Sequence, residues 1–249
     1  MKTKLTVYLI FAFLTSGCLI SCKKLRKPEA QTEREQWIAG FTDSIDYYQD
    51  RKAEIEQKLD RVNAEIMEAL NNFEMVKNPR EVSGYYILKG WNKKLPFTST
   101  GIYARINEND KLELIATLGG STFNKLGVGT GSTVFFSETV PHDQAFNYRH
   151  ERFNTVYFSG GKADTIAEYI ATHNNEKVVL DFIEGSKKHS FTLPVDEKSM
   201  ISQTWNLHSY QLKARELQKE LFICSRKIDT FRRIMDMQNQ TSADKNSVE

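Results

Sequence analysis

The stretch IAGFTDSIDYYQDRKAEIEQKLDRVNAEIMEALNNFEMV, residues 38–76, decides how this chain is to be read. At alternating steps of three and four it sets Ile38, Phe41, Ile45, Tyr48, Lys52, Ile55, Leu59, Val62, Ile66, Ala69, Phe73 and Val76 on one stripe. That is the period of a coiled-coil seam. A second stretch, residues 200–238, repeats the rhythm through Met200, Gln203, Leu207, Tyr210, Ala214, Leu217, Leu221, Cys224, Ile228, Phe231, Met235 and Gln238, and both are 39 residues long. The sequence therefore predicts an antiparallel pair of long helices, over 32–77 and 198–240, with a disordered tail over 241–249. The first ends before Asn78-Pro79, where proline forbids continuation, and the second starts at Asp196 or Ser199 after Pro194.

A register follows if each seam layer is to be filled. Pairing residues whose numbers sum to 276 sets Ile38 against Gln238 and Val76 against Met200. The flanking positions then bring Glu65 to Lys213 and Lys58 to Glu220, with Arg51 facing Lys227 unfavourably, and Lys52 falls opposite Cys224. Such surface pairs are worth only about 0.2–0.5 kcal/mol each. Phe222, Ile223, Met67 and Met75 project off the seam, with Tyr47 nearby. A flexible segment or a second copy of the chain would cover them, the latter making a homo-oligomer through Phe222 and Ile223.

Between the helices the texture changes. Residues 81–195 carry short alternating runs rich in Tyr, Phe, Val, Ile and Thr, which predict seven strands: 85–89, 102–107, 112–118, 133–139, 155–159, 178–183 and 189–193. Turn signals at Asn109-Asp110, Gly119-Gly120, Gly160-Gly161 and Gly185-Ser186 separate several of them. Ala163, Ile166, Ala167 and Ile170 have the spacing of one short helix against the sheet. The fold class is α+β: two long helices bracketing a mainly antiparallel β domain, barrel or sandwich.

Chemistry is harder to locate. The run from Gly119 to Gly131 invites a phosphate-binding reading, yet it lacks the Gly-Lys-Ser/Thr ending of a P-loop and opens no helix, so it reads as a long flexible connection. The segment Pro141 to Arg152 contains His142, Asp143, His150 and Glu151, but a His-to-His spacing of eight fits no common zinc pattern. It reads instead as a polar, aromatic loop in which Phe146, Tyr148, Arg149 and His150 are candidate partner contacts, with Trp91 a further exposed aromatic. No Gly-x-Ser-x-Gly elbow occurs, and Cys224 on the apolar seam reads as a buried thiol rather than a nucleophile. No catalytic residue, metal ligand or cofactor is assigned.

The N-terminus is the most specific segment. Lys2 and Lys4 precede the apolar run Leu5–Ile20, which is short for a membrane span. Leu19-Ile20-Ser21-Cys22 resembles the lipobox of bacterial lipoproteins. The resemblance covers residues 1–22 and implies cleavage after residue 21, with a lipid on Cys22. Thr15-Ser16-Gly17-Cys18 is the rival site, with threonine in place of leucine three residues before the cysteine. Loss of Lys2 and Lys4 would leave 32 basic against 32 acidic side chains, so no general electrostatic claim on nucleic acid remains. Lys23, Lys24, Arg26 and Lys27 in the linker over 22–31 would add about 1 kcal/mol each of attraction to an anionic membrane. Surface-exported lipoproteins of some Gram-negative groups carry acidic residues after the cysteine. The Lys23-Lys24 pair implies instead an outer-membrane protein facing the periplasm. The helix–β domain–helix order is similar in outline to the prefoldin chaperones, an analogy without a motif in residues 23–249. These features predict a non-enzymatic envelope lipoprotein that presents a β domain to a protein or glycan partner, at the end of helices reaching roughly 60 Å at about 1.5 Å per residue. A chaperone-like or structural assembly subunit is the second expectation, and an enzyme with a spatially assembled site the third.

Overall fold

A computed structural model describes residues 28–77, 84–94 and 98–246. The expected signal segment, Cys18, Cys22, the Lys23–Lys27 group and Pro79 lie outside the described residues. The elements are α1 (Pro28–Leu70), β1 (Phe73–Val76), β2 (Tyr85–Leu88), a 3-10 turn (Asn92–Lys94), β3 (Gly101–Asn107), β4 (Leu112–Gly119), β5 (Lys125–Gly129), β6 (Phe135–Phe136), β7 (Asn147–His150), β8 (Phe153–Ser159), α2 (Gly161–Thr172), β9 (Val179–Glu184), β10 (Lys187–Thr192) and α3 (Val195–Asn246). The class is α+β. Its strands form a six-stranded antiparallel sheet in the order β1-β2-β3-β4-β8-β7 and a four-stranded one in the order β10-β9-β5-β6, so no closed barrel forms. The chain divides into two compact units, one reaching to Asp46 and resuming at Thr230, the other running from Tyr47 to Asp229.

Among the described residues ten strands replace the expected seven. Helix α1 stops at Leu70, not at residue 77. The Asn71 and Asn72 amides turn back onto Glu68 and Ala69, and Phe73–Val76 then pairs with β2, Phe73 against Leu88. Phe73 and Val76 are three apart, which suits a heptad and a strand boundary alike; Met75 is therefore a strand residue. β5 lies inside the glycine-rich run read as a flexible connection, and β7 inside the loop 141–152. Of the strand expected over 133–139 only Phe135–Phe136 forms. Helix α3 begins at Val195 and continues to Asn246, past the point where a disordered tail was expected. The short helix expected from Ala163, Ile166, Ala167 and Ile170 is α2, and all four residues are buried.

Register sorts the sheet residues into two faces. Ala104 pairs with Leu114 and Leu114 with Phe158, while Ile102 pairs with Ala116 and Ala116 with Val156. These share one core with the buried residues of α2 and with Leu126, Val128, Leu180 and Phe182 of the smaller sheet. Phe123 joins the layers, its ring 6.3 Å from Phe158 and 4.8 Å from Phe182. Burying each such side chain stabilises by about 1.5–3 kcal/mol. The opposite face of the large sheet carries Tyr103, Arg105, Glu113, Ile115, Thr117, Thr155 and Tyr157.

The first turns of α3 close a gap in that sheet. β2 pairs with β3 only at Tyr85–Asn107 and Tyr86–Ile106. Further along β3, the Ile102 amide donates to Glu197 Oε2 at 2.9 Å and the Ala104 amide to Met200 Sδ at 3.2 Å. Burial, aided by Asp196, raises the Glu197 carboxyl to about 7, against the pull of the Ile102 amide and Lys94. Because that value lies above the ordinary glutamate value of 4.5, the folded state holds more protons than the unfolded chain between the two. Glu197 therefore contributes a loss of stability as pH rises from about 4.5 to about 7. Chemical denaturation at pH 5 and pH 8 should show this fall in the parent and a flatter profile in Glu197→Gln.

Within the larger unit α1 and α3 run antiparallel, but not in the expected register. Arg51 Nη2 lies 3.0 Å from Glu220 Oε2, where Lys58 was the expected partner of Glu220. Glu65 and Ala69 line one cleft with Gln203 and Asn206. The Arg51–Glu220 pair lies one heptad from the expected pairing. A seven-residue slide leaves every apolar stripe intact, so the pattern alone does not resist it. The departure of Phe73 from the helix supplies the missing reason, because Phe73 packs with Ile106 and Leu207, beside Ile66 and Ala69. Ile55, Val62, Ala214, Cys224 and Ile228 are buried. In the smaller unit the rings of Phe41 and Phe231 lie 5.5 Å apart.

Candidate functional site

The β7–β8 hairpin organises one well-ordered surface. Its turn holds Glu151 in the left-handed region, at φ 53°, and strand register then places His150 opposite Phe153 and Tyr148 opposite Thr155. Two buried asparagines lock the preceding loop to it. Asn147 Nδ2 donates to the Val140 carbonyl at 2.7 Å, and Asn154 Nδ2 to Asn147 Oδ1 at 3.0 Å. The Phe123 amide donates to Asn154 Oδ1 at 2.8 Å, so three segments meet on one amide pair. Buried polar groups of this kind are tolerated because each is satisfied.

Asp143 sets the shape of the loop. Its Oδ1 accepts the amides of Ala145 at 2.7 Å, Phe146 at 2.5 Å and Asn147 at 3.3 Å. The Phe146 amide holds the carboxyl below the usual carboxylate range against the opposing effect of burial, with help from the Ala145 and Asn147 amides. This turn lifts Phe146 into solvent, 58% exposed. Its ring lies 6.5 Å from Tyr157 at 78° between planes, and the Tyr148 ring lies 6.2 Å from Tyr157. Between loop and hairpin opens a cleft of about 350 Å³ that Glu138, Val140, Asp143, Phe146, Tyr157 and Ser159 help to line.

Behind Tyr157 stands a charged pair. Arg105 Nε donates to Glu113 Oε2 at 2.6 Å, and the guanidinium lies 4.3 Å from the centroid of the Tyr85 ring and 5.4 Å from that of Tyr157. Burial works against the Arg105 charge, and Glu113 more than offsets it. Burial, with Tyr103 and Tyr148, pushes the Tyr157 hydroxyl well above the ordinary tyrosine range, so it stays a neutral donor and acceptor. An aromatic surface backed by a fixed cation can offer stacking and hydrogen bonding.

The residues expected to contact a partner divide. Phe146, Tyr148, Arg149 and His150 lie together, but on and beside an edge strand rather than in a free loop. Trp91 does not join them: it is 7% exposed and part of the core, with Lys94 Nζ 3.9 Å from its ring centroid. An aromatic beside glycine and lysines reads as exposed, and only the fold reveals the hollow it fills. Phe222 and Ile223 are exposed at 66% and 55%. His142 approaches Asn147 Oδ1 at 3.1 Å and Glu184 Oε2 at 3.3 Å, and no group of three metal-ligating side chains occurs among the described residues.

Tyr157, Tyr103, Arg105 and Glu113 were missed. The alternation of β8 marked Tyr157 as facing away from Phe158, but nothing local told that Arg105 would lie behind it. Also missed was Asp181, which is buried and held by Thr133, Ser190 and Lys188. No described helix is long and apolar enough to cross a membrane. No family model, curated protein or solved structure matches the chain.

Proposed function

We propose that this chain is a bacterial envelope lipoprotein, anchored by a lipid on Cys22 and acting as a non-enzymatic binding module. In this reading the basic group Lys23, Lys24, Arg26 and Lys27 sits against the outer membrane, and the protein faces the periplasm. Helices α1 and α3 pair as a two-helix coiled coil that serves as its stalk. The observation that carries the binding role is the ordered aromatic edge: an exposed Phe146, fixed by the Asp143 turn, beside Tyr148 and Tyr157. Exposing a large ring on a rigid turn spends stability on a surface that only a partner would cover. The exposed pair Phe222 and Ile223 supports a second reading, a subunit that assembles through its helices.

Two arms test the proposal in cells. A clickable fatty acid should label the parent and not Cys22→Ala; labelling that survives at Cys22→Ala but not Cys18→Ala would move the anchor. A photo-crosslinking amino acid at Phe146 should capture one discrete product, with little captured from exposed Lys187. Equal smears from both positions would sink the binding role, and a dimer captured from Phe222 alone would favour the assembly subunit.

A further inference from the structure

The cleft at the β7–β8 edge has a chemistry narrower than general stickiness. Phe146 and Tyr157 meet nearly edge to face and form an aromatic corner. The electron-rich faces of such rings attract a cation within about 6 Å. Two carboxylates, Glu138 and Asp143, share the lining. Glu138 is paired with Lys162 at 3.1 Å, so the balance of these charges is one negative. Asp143 carries it: Oδ1 is taken by three amides, whereas Oδ2 accepts no hydrogen bond among the described residues. The remaining walls, Val140, Pro141, Phe158 and Ala163, are apolar and suit a methylene stem.

We propose that this cleft takes one lysine or arginine side chain of a partner polypeptide, its stem along the apolar wall and its charge between the aromatic corner and Asp143 Oδ2. The inference rests on the reading of this edge as a contact surface and adds the chemistry of the ligand. A polypeptide source is favoured by the neighbouring strand. The Tyr157 amide donates to the Phe146 carbonyl at 2.8 Å, which by antiparallel alternation turns the amide and carbonyl of Arg149 away from β8. Those groups are placed to meet the main chain of the residue that delivers the side chain. The corresponding groups of Asn147 are occupied by Asp143.

The test is an NMR titration of the full-length chain in micelles. The probe is acetyl-arginine methylamide, with its uncharged citrulline analogue as control. The arginine probe should shift the amides of 143–147 saturably and bind at least about fivefold more tightly than the citrulline probe. Asp143→Asn keeps an oxygen for the three amides, so it should preserve the spectrum elsewhere and weaken the arginine probe by about fivefold or more. Phe146→Ala should weaken it by about threefold. Equal binding of the two probes, or no saturable shift at about 20 mM, overturns the proposal. So does an Asp143→Asn chain that folds and binds as the parent does. Tighter binding of putrescine than of the arginine probe would assign the cleft to a free amine, and shifts with chitotriose alone would assign it to a glycan; each overturns the polypeptide assignment. Discrete crosslinking from Phe146 together with a failed titration would remove only the ligand class and leave the contact surface standing.

Discussion

Alanine in place of Asp181 is expected to destabilise the larger unit by about 3 kcal/mol, a drop of roughly 6–12 °C in Tm for a unit of this size. Asp181 is 4% exposed and sits on β9 between its two partner strands, opposite Gly127 of β5 and Ser190 of β10. Its carboxylate accepts from the Thr133 hydroxyl, from Ser190 Oγ at 2.7 Å and from Lys188 Nζ at 3.2 Å. Burial pushes the carboxyl up, but the hydrogen bonds from Thr133, Ser190 and Lys188, with the lysine charge, hold it below the usual carboxylate range. Removal takes a charged acceptor from the half-buried Thr133 hydroxyl, the exposed Ser190 hydroxyl and Lys188, beside a polar cavity of only about 50 Å³. Hydrogen bonds to a charged group are worth about 1.5–3 kcal/mol each, less where the donor reaches water, which sets the scale.

Two companion variants separate the contributions. Lys188 is half exposed, so Lys188→Ala should cost under about 1 kcal/mol, since its ammonium already reaches water. Asp181→Asn keeps an acceptor and loses the charge, and should fall between the two. The stability that Asp181 supplies is present above the unfolded carboxylate pKa and disappears as pH falls through its lower folded value. Thermal melts at pH 7 and pH 3 check this: the gap between parent and Asp181→Ala should narrow in acid. A cost below about 1 kcal/mol at pH 7 would mean that water replaces the carboxylate, and the hub would lose its structural role.

Legibility in the sequence follows the range of the forces involved. α1 and α3 were legible because their stripe recurs over ten or more layers, and α2 because four apolar residues at helical spacing admit few other readings. The register was not. A heptad slide costs nothing in pattern, and the cluster that joins these elements, Phe73 with Leu207 and Ile106, belongs to three distant segments. β5 was hidden by its glycines, which weaken a strand signal even where, as at Gly127, the missing side chain makes room for Thr133. The candidate site shows the same division. Phe146, Tyr148, Arg149 and His150 are neighbours in sequence and were found together. Tyr157 and Arg105 join them only through the pairing of β3, β4 and β8, which no local pattern encodes. Asp181 interrupted an apolar run as an outward strand residue would; the turn after β5 covers it instead.

That turn is where one methyl group should do the most damage. A Cβ built on Gly129 would lie 1.8 Å from the Ser132 carbonyl oxygen and 2.7 Å from its carbon. Both are main-chain atoms of a turn pinned by the Val134 amide on the Val128 carbonyl and the Ser137 amide on the Leu126 carbonyl, each at 2.8 Å. Relief requires the turn to open, which strips β6 from β5 and withdraws Thr133 from Asp181. Overpacking alone costs about 1–3 kcal/mol, and the lost hydrogen bonds add about 1 kcal/mol each. Gly129→Ala is therefore expected to lose at least about 3 kcal/mol in urea denaturation. Gly131→Ala meets nothing within 4 Å and should stay within about 1 kcal/mol of the parent. Both Gly129→Ala and Asp181→Ala act through the seating of Thr133, so their double mutant should cost clearly less than the sum of the singles. Additivity would mean that the turn and the carboxylate stabilise the sheet independently, and that Thr133 reaches Asp181 without holding it.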